Sequence, residues 1–211
     1  MQARRSTPDR ATRSGCGIAF SRNRVIAMRE SMSIHEIVLP DTEPETEWIL
    51  GRAVRKVSPR RTHALLQGKL WALLARWAEG RGEVGTEWRF RIAPAGQIRR
   101  PLVPDVSYVS YERLRDLEGD ALELPPFAPD VAVEVLSPGW RAAYLEHKVA
   151  VYLAGGSLLV IVVDPAQREA RLYDANGMCA VRENEVIEHS ALPGFALPLT
   201  ELFAVLQRPM L

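Results

Sequence analysis

Long apolar runs are missing from this chain. No stretch approaches the ~20 apolar residues that a membrane-spanning helix needs, so no membrane partner is expected. Cysteine is scarce. Cys16 and Cys179 stand far apart and match neither a disulfide framework nor a zinc-ligand spacing, which makes a reducing cytoplasm the expected compartment. Lysine is scarcer than its role as a common cation would suggest: residues 56, 69 and 148 are the only three, against 24 arginines. No internal repeat is present. "GRAVRKV" lacks phosphate-loop spacing, and no Ser-His-Asp arrangement stands out.

What is present is an ordinary globular composition. The 211 residues are 47% hydrophobic, enough for one domain with a sizeable core. The net charge of +1 hides a split. Residues 1–32 hold seven arginines against Asp9 and Glu30, a balance of +5, so the remainder carries −4. An acidic body is not the footprint of a strong constitutive nucleic-acid binder. Residues 1–32 also lack the apolar core of a secretory signal. They read as a disordered basic leader, followed by a single domain over 33–211.

Periodicity places the elements. "EWILGRAVRKV" (47–57) reads as a hairpin about Gly51. Residues 58–80 read as a helix with Ser58 as cap and an apolar stripe of Leu66, Leu70, Leu73, Leu74 and Trp77. Residues 83–92 alternate as a strand, 101–111 form another, and 112–129 read as a loop with a short helical turn. Residues 131–136 are a third strand, then a helix ends at Gly155-Gly156. "SLLVIVVD" (157–164) is apolar throughout, as a strand buried on both faces would be. A hairpin about Asn176-Gly177 follows, then a short helix capped by Thr200. Parallel strands joined by a crossover helix predict an α/β fold with a mixed sheet and flanking helices.

One residue conflicts with this pattern. In "PDVAVEVLSP", Val131, Val133 and Val135 share one face, while Glu134 lies between Ala132 and Leu136 on the other. An ionised carboxylate buried there costs several kcal/mol unless paired. Asp105, after Pro104, opens the preceding strand. Adjacent strands lie about 4.8 Å apart, so Asp105 and Glu134 can share a cleft, and two close carboxylates need a proton or a cation between them. Magnesium or manganese suits such hard oxygen ligands. On the next helix, Tyr144, Lys148 and Tyr152 share a face. Where arginine is the habitual cation, a lysine on a partly apolar face points to a need for its compact charge.

These segments resemble the Uma family of restriction-endonuclease-like proteins, within the PD-(D/E)XK nuclease superfamily. The matching pieces are "EWILG", "RRTHALLQGKLWALL", "VPDVSYVS", "PDVAVEVLSP", "EHKVAVYLAGG", "VIVVDP" and "LPGFALPLTELF". The resemblance implies a restriction-endonuclease-like fold and a metal-dependent DNA endonuclease. It implies Asp105 and Glu134 as metal ligands and Lys148 as the catalytic lysine, migrated from the usual position, here Leu136. It adds Glu47 as a further acidic ligand and His63 as a histidine common in the family. Leu50 and Arg52 replace acidic residues of the family's early hairpin, and Tyr144 stands where an aspartate is common.

Two other functions compete. A catalytically decayed nuclease scaffold acting as an interaction module would suit the acidic body. A hydrolase of another class with paired carboxylates, such as a glycosidase, would need two carboxyls about 5 to 9 Å apart and gives Lys148 no task. Singly, Asp105 reads as a turn residue, Glu134 as an edge charge and Lys148 as a snorkelling side chain. Together, on successive elements, they favour the nuclease, and cutting both strands of a duplex would favour a homodimer.

Overall fold

The structure, a computed structural model, describes residues 36–56 and 58–207. The leader, Cys16 and His35 lie outside the described residues. The domain opens with a hairpin, β1 (Thr46–Ile49) and β2 (Arg52–Arg55). Its turn uses Leu50 and Gly51 at φ 48° and 76°, the left-handed values that tight hairpins require. Helix α1 (Arg61–Trp77) follows. It buries Leu66, Leu70 and Leu74, each no more than 1% exposed, one residue from every turn.

The helix starts later than the sequence suggests. Arg60 is the N-cap and makes no side-chain cap bond, so Ser58 does not cap it. The alternating run 83–92 is also two strands, β3 (Gly82–Thr86) and β4 (Phe90–Ile92). Glu87, at φ 53°, breaks it and sends the two halves into different sheets. The predicted strand 101–111 divides likewise, into β5 (Arg100–Leu102) and β6 (Val106–Ser110), around Pro104, which has no N–H to donate to a ladder. Two short helices, α2 (Tyr111–Leu114) and α3 (Asp120–Glu123), occupy the predicted loop.

Strand β7 (Val131–Val135), helix α4 (Ala142–Ala154) and strand β8 (Leu159–Asp164) form the crossover, and β7 and β8 are parallel. The hairpin β9 (Glu169–Asp174) and β10 (Gly177–Arg182) completes a six-stranded mixed sheet in the order β10-β9-β8-β7-β6-β3. Strands β11 (Val186–Ile187) and β12 (Leu197–Pro198) pair with each other, outside the Asn176-Gly177 hairpin. The last helix, α5 (Leu199–Ala204), has Pro198 at its N-cap. Thr200 lies inside it and is not the cap.

The core has two layers, one on each face of the sheet. Val131, Val133 and Val135 of β7 pack with Leu66, Leu70 and Leu74 of α1. Ala132 packs on the opposite face with Leu145, Val149 and Tyr152 of α4. Strand β8 divides the same way: Leu159, Ile161 and Val163 belong to the first layer, Val160 and Val162 to the second. That two-sided burial is why its sequence lacks polar alternation. Glu134 shares the Ala132 face and therefore looks toward α4.

Candidate active site

Four carboxylates and two lysines gather where β1, the β5–β6 junction, β7 and α4 meet. Glu134 is 2% exposed and Lys148 1%. The Lys148 ammonium lies 2.7 Å from Glu134 Oε1 and 2.8 Å from Glu47 Oε1. One helical turn on, Tyr152 donates its hydroxyl hydrogen to the same Glu134 oxygen at 2.9 Å. The Val103 N–H donates to Glu47 Oε1 at 2.8 Å. In a buried site each of these partners is needed, since a carboxylate without one would forfeit its hydration.

Asp105 faces a second cation. Its Oδ1 lies 2.8 Å from Lys56 Nζ, its Oδ2 accepts the Val135 N–H at 2.7 Å, and His63 Nε2 stands 3.4 Å from Oδ2. Lys56 also reaches Glu87 Oε2 at 2.8 Å. Both lysines donate to one carbonyl, that of Val103, Lys56 at 3.1 Å and Lys148 at 3.4 Å. Asp105 and Glu134 therefore each have their own ammonium, and the two ion clusters meet at Val103. Asp105 comes beside β7 through its backbone as well, donating its N–H to Val133 O at 3.0 Å.

Electrostatics follow from this packing. Burial pushes Glu134 up to about 7 despite Lys148, and the charges of Asp105 and Glu47 add to the rise. Burial would raise Asp105 too, but Lys56 and His63 overcome it and hold Asp105 well below the usual carboxylate range. Lys148 and Lys56 are both raised above the ordinary lysine value, because the surrounding carboxylates outweigh the burial that opposes their charge. His63 is raised in the same way, Asp105 outweighing burial.

All five sequence-derived candidates, Asp105, Glu134, Lys148, Glu47 and His63, thus stand in this one region. Four further participants were not foreseen: Lys56, Glu87, Gln67 and Tyr152. Lys56 is as rare a residue type as Lys148 and carried the same signal. Glu87 was hidden inside an apparently continuous strand. Gln67 donates to Glu87 Oε1 and to the Asp105 carbonyl, both at 2.9 Å. His189, which lacked any partner in the sequence, lies 3.2 Å from Asp174. Asp164 behaves as the turn residue it resembles, accepting the N–H groups of Ala166 and Gln167.

His63 separates two clefts. One, of about 900 Å³, is lined by Lys56, His63, Gln67 and Glu87. The other, of about 690 Å³, is lined by His63, Ser137, Trp140 and Arg171. His63 Nδ1 lies 3.1 Å from Ser137 Oγ, so Ser137, His63 and Asp105 stand in a row that the sequence did not disclose. That row is a poor acyl-transfer triad. Pro138 follows the serine and has no N–H to offer an oxyanion, and Asp105 is already held by Lys56 and Val135.

Comparison with known proteins agrees with this architecture. Residues 35–200 match the Uma2 family, described as "Putative restriction endonuclease". The chain belongs to the Uma2 family. A crystal structure described as a "putative nuclease belonging to DUF820 from Anabaena variabilis ATCC 29413" superposes with a TM-score of 0.70. It is 22% identical, covering 80% of this chain and 95% of that one. No curated protein matches the chain. The mixed sheet, its flanking helices and its small hairpins are the restriction-endonuclease-like fold. The six-stranded sheet of this Uma2 chain sets Asp105, just before β6, beside β7, which carries Glu134.

Proposed function

We propose that this Uma2 protein is a metal-dependent DNA endonuclease that hydrolyses phosphodiester bonds. The observation that carries the reading is the crowding of three buried carboxylates. Glu47, Asp105 and Glu134 have side chains no more than 4% exposed and share Lys148, Lys56 and His63 as cationic partners. Burial and the charges of Asp105 and Glu47 push Glu134 up to about 7, a repulsion that a divalent cation relieves, and the donors are hard oxygens suited to magnesium or manganese. Asp105 and Glu134 would hold the ion, with Glu47 beside them. When bound, the ion supplies Lewis acidity toward the phosphate and a lowered pKa for an attacking water.

The chain's own residues supply the rest. Tyr152 and Lys148 fix the Glu134 carboxylate from one helix face. Lys148, nearly inaccessible, keeps a compact positive charge where negative charge develops on the phosphate, and it needs no reorganisation to do so. A glycosidase leaves the buried Lys148 without a task, whereas phosphate chemistry uses it.

Supercoiled plasmid in manganese buffer provides the test. The wild type should nick it. Asp105→Asn and Lys148→Ala should each slow nicking on the order of 10²-fold or more. Calorimetry on the same samples should show that Asp105→Asn weakens manganese binding while Lys148→Ala retains it. Absence of both nicking and metal binding in the wild type would leave the decayed scaffold as the better reading. The departures at Leu50 and Arg52 already favour that outcome if the chemistry fails.

A further inference from the structure

Lys56 occupies a place with the attributes of a cation site. Its ammonium has three hydrogens and three oxygen partners: Asp105 Oδ1, Glu87 Oε2 and Val103 O. Beside it stands His63. One ligand atom each from His63, Glu87 and Asp105 lies within 4.8 Å of the others, a spacing that one ion can span. Only Asp105 of these three belongs to the acidic pair inferred from the sequence.

The surroundings of the three donors are arranged as those of metal ligands are. A ligating histidine commonly gives its other ring N–H to a fixed partner, which sets the tautomer and aims the free lone pair. Here Nδ1 is engaged by Ser137 Oγ, which leaves Nε2 for the Asp105 side. Gln67 holds Glu87 through Oε1, leaving Oε2 to the cation. The Val135 N–H holds Asp105 through Oδ2, leaving Oδ1 to the cation. An entry path exists as well. Lys56, His63, Gln67 and Glu87 all line the 900 Å³ cleft. Lys56 keeps 13% side-chain exposure against 1% for Lys148, so Lys56 has room to withdraw and Lys148 does not.

We propose that His63, Glu87 and Asp105 form a second divalent-cation site, which the Lys56 ammonium fills until a metal displaces it. The inference rests on the nuclease reading for its use, since Asp105 would then serve both sites, as carboxylates do between paired ions. The mixed nitrogen and oxygen donor set favours zinc over magnesium, because imidazole suits zinc, and manganese, which binds such sites more weakly, serves as the paramagnetic stand-in. Lys56 acts here as a built-in competitor. It keeps Asp105 neutralised without metal and makes loading depend on metal concentration.

Manganese(II) alone is the probe, read by calorimetry and by pulsed EPR for coupling to a histidine nitrogen. Wild-type protein should show that coupling. His63→Gln should lose it, while Glu134→Gln, on the other side of Val103, should keep it. Lys56→Met should bind manganese on the order of tenfold tighter, a competing cation having been removed. Glu87→Gln should bind it on the order of tenfold more weakly. Glu87 is 40% exposed, so this second variant tests the site even if Lys56→Met fails to fold. Manganese bound without nitrogen coupling, or Lys56→Met affinity equal to wild type, would overturn the second site and leave the nuclease reading standing. Nitrogen coupling in a protein that never nicks plasmid would support the site and overturn the nuclease reading.

Discussion

Tyr152 donates to the buried Glu134 carboxylate, and its own side chain is fully buried. Tyr152→Phe removes that donor and keeps the ring. Hydrogen bonds to charged groups contribute about 1.5–3 kcal/mol, so urea unfolding should show a loss in that range. Nicking should fall less than in Lys148→Ala, since Lys148 still holds Glu134. His63 gives a pH-dependent test. Its folded pKa lies above its ordinary value of 6.5, so the charged form is favoured in the native state. The stability it contributes is complete below 6.5 and is lost as pH rises through the raised value. Unfolding midpoints in EDTA should therefore decline above pH 6.5 in the wild type, and His63→Gln should flatten that decline. An equal decline in both proteins would assign it to another group.

Strand β3 depends on a close approach at its first residue. A Cβ at Gly82 would run into the Val109 carbonyl oxygen and the Tyr108 ring on β6. Gly82→Ala must push β3 away from β6 at the sheet edge, and overpacking of this kind typically costs about 1–3 kcal/mol. Thermal melting should show the loss, and it should exceed that of Gly68→Ala in α1, where a Cβ would meet nothing within 4 Å and φ is not positive. The elements themselves were mostly legible. Leu66, Leu70 and Leu74 announced α1, and the apolar run of β8 announced burial on both faces. The breaks at Glu87 and Pro104 were not, because alternation continues through both. What ends the strands is a change of partner: β3 pairs with β6, while β4 pairs with β5.

Metal binding should be visible in the stability of the whole domain. The unfolded chain cannot assemble Glu47, Asp105, Glu134 and Lys148, so on the proposed function manganese would bind the native state selectively. At about 100 times its Kd it should add roughly 2.7 kcal/mol. Calorimetric melting should show a rise in Tm with manganese that EDTA reverses. Glu134→Gln should reduce the rise. An unchanged Tm would indicate that the four carboxylates are satisfied by Lys56 and Lys148 alone.

Periodicity and turn residues were enough to place the sheet, α1 and α4, and conspicuous polar positions, read together with the family resemblance, drew attention to Asp105, Glu134 and Lys148. A carboxylate inside an apolar strand is visible without knowing its partner. The partners themselves were decided by tertiary structure. Lys56 meets Asp105 across 49 positions, and His63 meets Ser137 across 74. Such contacts form only once the β1–β2 hairpin folds back on the β5–β6 junction and α1 settles over the end of β7. Ion pairs and hydrogen bonds of that span impose no spacing on the chain. Lys56 and Lys148 were equally rare in the sequence, and only the fold made both of them counter-ions of one acidic cluster.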